Sequence, residues 1–123
     1  MNDQTFGSYL RSLRKKQNPP MTQEQLATAV GRGKMTISQF EKGKNAPPQG
    51  QLLDKIVDAL DLTSEEKRRL IFLSSEERGT VPTDIEIYFF KNPSICEVIR
   101  AGQARDADDS FWSDLSERIK KNG

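Results

Sequence analysis

Between Gly31 and Pro48 the stretch GRGKMTISQFEKGKNAPP sets four basic residues, Arg32, Lys34, Lys42 and Lys44, against one acid, Glu41. Met35, Thr36, Ser38, Gln39 and Asn45 are interspersed among them. This is equipment for noncovalent recognition: lysine and arginine neutralise a polyanion, while Gln, Ser and Thr exchange hydrogen bonds with its uncharged groups. Covalent and metal chemistry lack their residues. Histidine is absent, no glycine-rich phosphate loop exists, and the single cysteine, Cys96 in PSICEVIR, has no base partner. Neither a nucleophile with its base nor a metal site can be assembled, so no enzyme activity, metal or cofactor is expected. Cys96 is expected to be a buried structural thiol. DADDSF with Glu117 imitates a calcium loop, but Phe111 stands where the loop needs glycine. Helix capping by Asp106 or Asp108 is the better reading.

The charge is uneven. Residues 1–46 hold eight Lys/Arg and three Asp/Glu, whereas residues beyond 62 hold ten and twelve, although the whole chain is only +1. A basic front half points to a polyanion partner, and the slightly acidic back half to something else. With 123 residues there is room for one domain, or a compact half and a smaller appendage. No apolar run is long enough to span a bilayer, and MNDQTFGSYL lacks the basic-then-apolar order of a secretion signal, so a cytoplasmic location without membrane attachment is expected.

The basic stretch must be held by helices. Thr5 can cap a first helix in which Phe6, Leu10 and Leu13 recur at helical spacing, ending in the basic run Arg14 to Lys16 before NPP breaks the chain. Thr22 and Gln25 form a capping box ahead of EQLATAV, where Leu26, Ala29 and Val30 make an apolar stripe that Gly31 ends. From Met35 to Lys42 the pattern is helical again, with Ile37 and Phe40 inward. QLLDKIVDALDL puts Leu52, Leu53, Ile56, Val57 and Leu60 on one broad face, and Thr63 with Glu66 opens a further helix that Gly79 closes. GTVPTD is the expected joint. Beyond it three short helices are predicted: Asp84 to Lys91, then Pro93 to Ala104 with Asn92 as cap, then about Asp108 to Lys121. IEIYFF also alternates as a strand would, but nothing is available to pair with it.

Two short helices meeting at Gly31 make a helix-turn-helix candidate. At about 100° per residue, Met35, Ser38, Gln39 and Lys42 fall opposite Ile37 and Phe40. A helix entering the DNA major groove needs that division: an apolar side to dock it, and modest hydrogen-bonding side chains to reach base edges. Gln39 suits adenine, Ser38 donates or accepts, Met35 and Thr36 suit a thymine methyl, and Lys34 suits guanine or a phosphate.

TQEQLATAVGRGKMTISQFEKGKNAPP resembles the helix-turn-helix of the phage Cro and repressor (XRE) family of transcriptional regulators. The matching signs are TQEQLA, the turn glycine, TIS, an aromatic before Glu41, then KGK and a proline, and the resemblance covers about residues 5–75. It implies that Gln23 touches a phosphate and braces the reading residues, and that Lys34, Met35, Thr36, Ser38 and Gln39 read bases. By the same resemblance Lys44 and Asn45 contact phosphates, Lys42 joins them, and Arg14 and Glu41 form a structural ion pair. Two departures stand out. Arg32 and Gly33 replace the family's apolar residue and Ser/Thr cap, which makes a looser turn and a phosphate contact by Arg32 the expectation. NPP lengthens the first loop, which leaves the placement of Arg11 to Lys16 against DNA open.

The fold class expected is all-α: a five-helix, repressor-like DNA-binding domain over residues 1–79 and a small helical C-terminal region over 80–123. One such unit makes too few base contacts alone, so double-stranded DNA is expected to be bound by a homodimer on an inverted repeat, in the manner of a repressor. The back half holds more apolar and aromatic residues than three short helices need, and Tyr88, Phe89, Ile99, Phe111, Trp112 and Leu115 are the candidate dimer interface. The competing reading is an antitoxin or anti-defence protein, whose back half grips a protein partner while the front half represses its own gene.

Overall fold

The computed structural model describes residues 4–122, and every regular element among them is a helix. The chain divides into two compact units, one up to Glu86 and one from Ile87.

The first unit holds α1 (Phe6–Lys16), α2 (Gln23–Val30), α3 (Lys34–Lys42), α4 (Gly50–Ala59) and α5 (Ser64–Arg78). Three of the five open with reciprocal capping boxes, at Thr5/Ser8, Thr22/Gln25 and Thr63/Glu66, each satisfying two backbone N–H groups that a helix start leaves without partners. Phe6, Leu10, Leu13, Leu26, Val30, Ile37, Leu53, Ile56, Leu70 and Leu73 interlock into one core, each at most 2% exposed. In α2 the phase differs by a residue from the expected stripe: Ala27 is buried and Ala29 exposed, because the small alanines satisfy either phase and Leu26 and Val30 decide it.

Gly7 is where α1 crosses α3. A Cβ there would lie 2.4 Å from the Phe40 carbonyl oxygen and 2.5 Å from that of Glu41, so only glycine lets the two backbones touch. The far end of α5 is tied by Ser74 Oγ, which donates to the Pro48 carbonyl at 2.6 Å, and by Glu77, which accepts the Phe6 N–H at 2.6 Å. Past the expected joint at Gly79 the chain stays with this unit to Glu86, and Pro82 and Ile85 line one open depression together with Phe72 of α5.

The second unit contains α6 (Glu86–Lys91), which begins at the boundary, α7 (Ser94–Ala104) and α8 (Asp109–Asn122). IEIYFF is helical from Glu86, two residues later than expected, with residues 83–85 forming a turn. Asn92 does not cap α7; its amide donates back to the Tyr88 carbonyl at 2.8 Å, and Pro93 opens the helix without a side-chain cap. Asp108 does cap, accepting the Phe111 N–H at 3.1 Å. Gly102 lies under Trp112, whose ring a Cβ would meet at 2.3 Å. Little else is covered. Tyr88, Ile99 and Phe111 are exposed, Phe89, Trp112 and Leu115 are half-buried, and Cys96 is half-buried rather than buried, because this thin unit has no interior in which to place it.

Candidate nucleic-acid interface

Behind α3, three side chains far apart in sequence converge. Arg14 donates through Nε to Glu41 Oε2 at 2.8 Å and through a terminal nitrogen to Glu41 Oε1 at 2.9 Å; its other terminal nitrogen donates to the Met21 carbonyl at 2.8 Å. Gln23 Nε2 donates to Glu41 Oε1 at 3.0 Å. The two charged side chains are 8% and 3% exposed. Such a pair offsets its own desolvation only when its geometry is good and further hydrogen bonds serve it, which the two-pronged contact and the added bonds to Met21 and from Gln23 supply. It joins the end of α1, the loop before α2, the start of α2 and the inner flank of α3. An amide nitrogen carries two hydrogens, so Gln23 can brace Glu41 and still donate outward.

The turn between α2 and α3 is closed by backbone alone. Gly31 takes a left-handed conformation (φ 71°), its N–H reaches the Thr28 carbonyl at 3.2 Å, and the Arg32 N–H reaches Ala27 at 2.9 Å. These bonds make the turn tight where a looser one was expected. Gly33 begins α3 with no side-chain cap, and the exposed Arg32 places its guanidinium on the Gly31 carbonyl at 3.2 Å.

On the outer face of α3 the burial switches from residue to residue. Met35 is 72% exposed while Ile37 is fully buried. Lys34, Met35, Ser38, Gln39, Lys42 and Lys44 line one open depression of about 460 Å³. Thr36 is half-buried and, like Arg32, lies outside that lining. Asn45, expected at the phosphates, donates to Gln39 Oε1 at 2.8 Å and so ties the segment after α3 to its outer face.

A second, larger depression of about 740 Å³ adjoins the first through Lys34, Ser38 and Lys42, and is also lined by Arg11, Lys15 and Gln23. Arg11 and Lys15 extend the basic surface onto α1. Their one-turn spacing on the flank away from Leu10 and Leu13 was the available signal, and the long NPP loop obscured it. The basic run thus has three fates: Arg14 is buried on Glu41, Lys15 faces the depression, and Lys16 hydrogen-bonds Glu66. That last contact raises the Lys16 ammonium above its ordinary pKa and lowers the Glu66 carboxyl below its own.

Among the described residues there is no cluster of His, Cys, Asp or Glu that could hold a metal ion, and no helix is long and apolar enough to cross a membrane. No curated protein and no solved structure matches the chain. The model of one family, described as a helix-turn-helix domain, matches residues 5–70, which span α1 through the first half of α5 and include both depressions. That match covers more than half of the chain, and the protein belongs to the helix-turn-helix domain family.

Proposed function

We propose that the protein is a sequence-specific DNA-binding transcriptional regulator that represses from an inverted-repeat operator as a homodimer. One observation carries the reading: the outward face of α3 gathers Lys34, Met35, Ser38, Gln39 and Lys42, with Lys44 just past its end, into one open, basic, hydrogen-bonding surface. Met35, Ser38 and Gln39 are the base readers, with Lys34 reaching guanine or the adjacent phosphate. Arg11, Lys15, Gln23, Lys42 and Lys44 grip the backbone on either side. Thr36 and Arg32 take secondary parts, since neither lines the depressions. A single α3 reads only a few base pairs, so a two-fold pair of units about 34 Å apart on the duplex supplies operator affinity.

The test is gel shift with DNA from the gene's own promoter against random DNA at about 150 mM salt, where unspecific charge attraction is screened. A specific complex at least about a thousandfold tighter than the random one is expected. Equal affinity for both sinks the reading.

A further inference from the structure

The second unit leaves an apolar stripe uncovered. On α8, Phe111, Leu115 and Ile119 recur every four residues on one side; Phe111 is 51% and Ile119 64% exposed, and Leu115 is half-buried. Beside the stripe runs a groove of about 460 Å³ between α7 and α8, floored by Gly102 and Trp112 and edged by Val98 and Phe111.

The charges on α8 say what covers it. Asp109 and Asp114 occupy its first half, while Arg118, Lys120 and Lys121 crowd its end, where Glu117 lies 3.7 Å from Lys120 of the same helix and Arg118 and Lys121 carry the net positive charge. A second copy laid parallel sets acid beside acid and base beside base. Laid antiparallel, it sets each acidic half against a basic end. From Ile87 onward the chain has six Lys/Arg and six Asp/Glu, so two copies carry no net repulsion.

We infer that α8 pairs antiparallel with α8 of a second copy across a two-fold axis at Leu115. This rests on the homodimer reading above and deepens it. A two-fold contact is self-complementary: where one residue meets a second residue of the other copy, that second residue meets the first, and positions equally far from the axis lie level with one another. Phe111 and Ile119 lie four residues to either side of Leu115 and so face one another between copies. Ile119 of the second copy, opposite Phe111 at the rim, is placed to enter the groove. Asp114 and Arg118 lie one turn apart on the same flank of the stripe, and each meets the other's counterpart across the axis.

The experiment uses the full-length chain with Cys96→Ser, sedimentation for the dimer and a short bis-maleimide for the contact. Wild-type chain is expected to sediment as a dimer. A mixture of Phe111→Cys and Ile119→Cys chains should cross-link well above either variant alone. Asp114→Arg should weaken the dimer about tenfold, as two exposed pairs turn repulsive, and adding Arg118→Asp should restore it to within about threefold. Both positions are exposed, so the charge variants do not depend on repacking. A dimer in which each cysteine variant cross-links as well alone as in the mixture overturns the α8 pairing and leaves the homodimer standing. A chain that stays monomeric, or that is captured by a different protein in place of itself, overturns both.

Discussion

Phe6, Leu10, Leu26, Ile37, Ile56 and Leu70 in the first unit are at most 1% exposed, whereas among the described residues from Ile87 onward only Gly102 is buried. Tyr88, Phe90 and Ile119 remain about two-thirds exposed. The same contrast shows in the two glycines at close crossings. Gly7 faces backbone oxygens, which cannot turn aside, while Gly102 faces the ring of Trp112, which can. The first unit has used most of its apolar side chains on itself and, apart from Met35, Phe72 and Ile85, turns mainly polar and charged groups outward. The second has amphipathic helices whose apolar sides still await cover. One region is a packed scaffold; the other, on the pairing proposed above, supplies half of a contact.

The strongest way to break that contrast is to open the polar lock inside the scaffold. Glu41→Ala strands the Arg14 guanidinium in a site where it is 8% exposed, and is expected to cost about 3–5 kcal/mol in urea unfolding. A loss under about 1 kcal/mol would mean that water enters the site freely and the lock is not part of the scaffold. Next come the crossings. Gly7→Ala should destabilise by about 1–3 kcal/mol, since α1 and α3 must separate. Gly102→Ala should cost under about 1 kcal/mol, read from the helical signal of the second unit, because the half-buried Trp112 ring borders an open groove into which it can turn. Equal effects at both glycines would erase the distinction between a packed and an unpacked unit.

On the outer surface the readout moves from folding to binding. Gln39→Ala is expected to relax preference at one base position by about 1–3 kcal/mol, while Lys44→Ala weakens all sequences alike and lowers the salt slope by about one. Titrations of an operator variant panel at several salt concentrations separate the two, and unfolding midpoints should not change. The smallest effect sharpens the account of the turn. Gly33→Ser, at a helix start where a Cβ meets nothing within 4 Å, adds the missing cap and should raise stability by only a few tenths of a kcal/mol.

Much of the scaffold was legible because local rules wrote it. The capping pairs Thr22/Gln25 and Thr63/Glu66, the turn glycine at Gly31 and the inward pair Ile37 and Phe40 all act within a few residues, and each stands where the pattern put it. What stayed hidden depends on approach between distant segments. Nothing in FGSYL marks Gly7 as the place where two backbones meet. Asn45 on Gln39, and Arg11 and Lys15 beside Lys34, need the helices to be arranged first. Asn92 misled because a cap residue before Pro93 is a good local signal, and the preceding helix offered its amide a carbonyl first.

The contact at Gly7 also bears on how such a protein changes its target. Helix α3 is anchored by its backbone against α1 and by Glu41 on its inner flank, and neither anchor involves Met35, Ser38 or Gln39. Those outward positions can therefore be replaced in evolution, or by design, without moving the helix that presents them. If the proposed function holds, a lineage can drift to new operators one surface residue at a time, with no compensating change in the core.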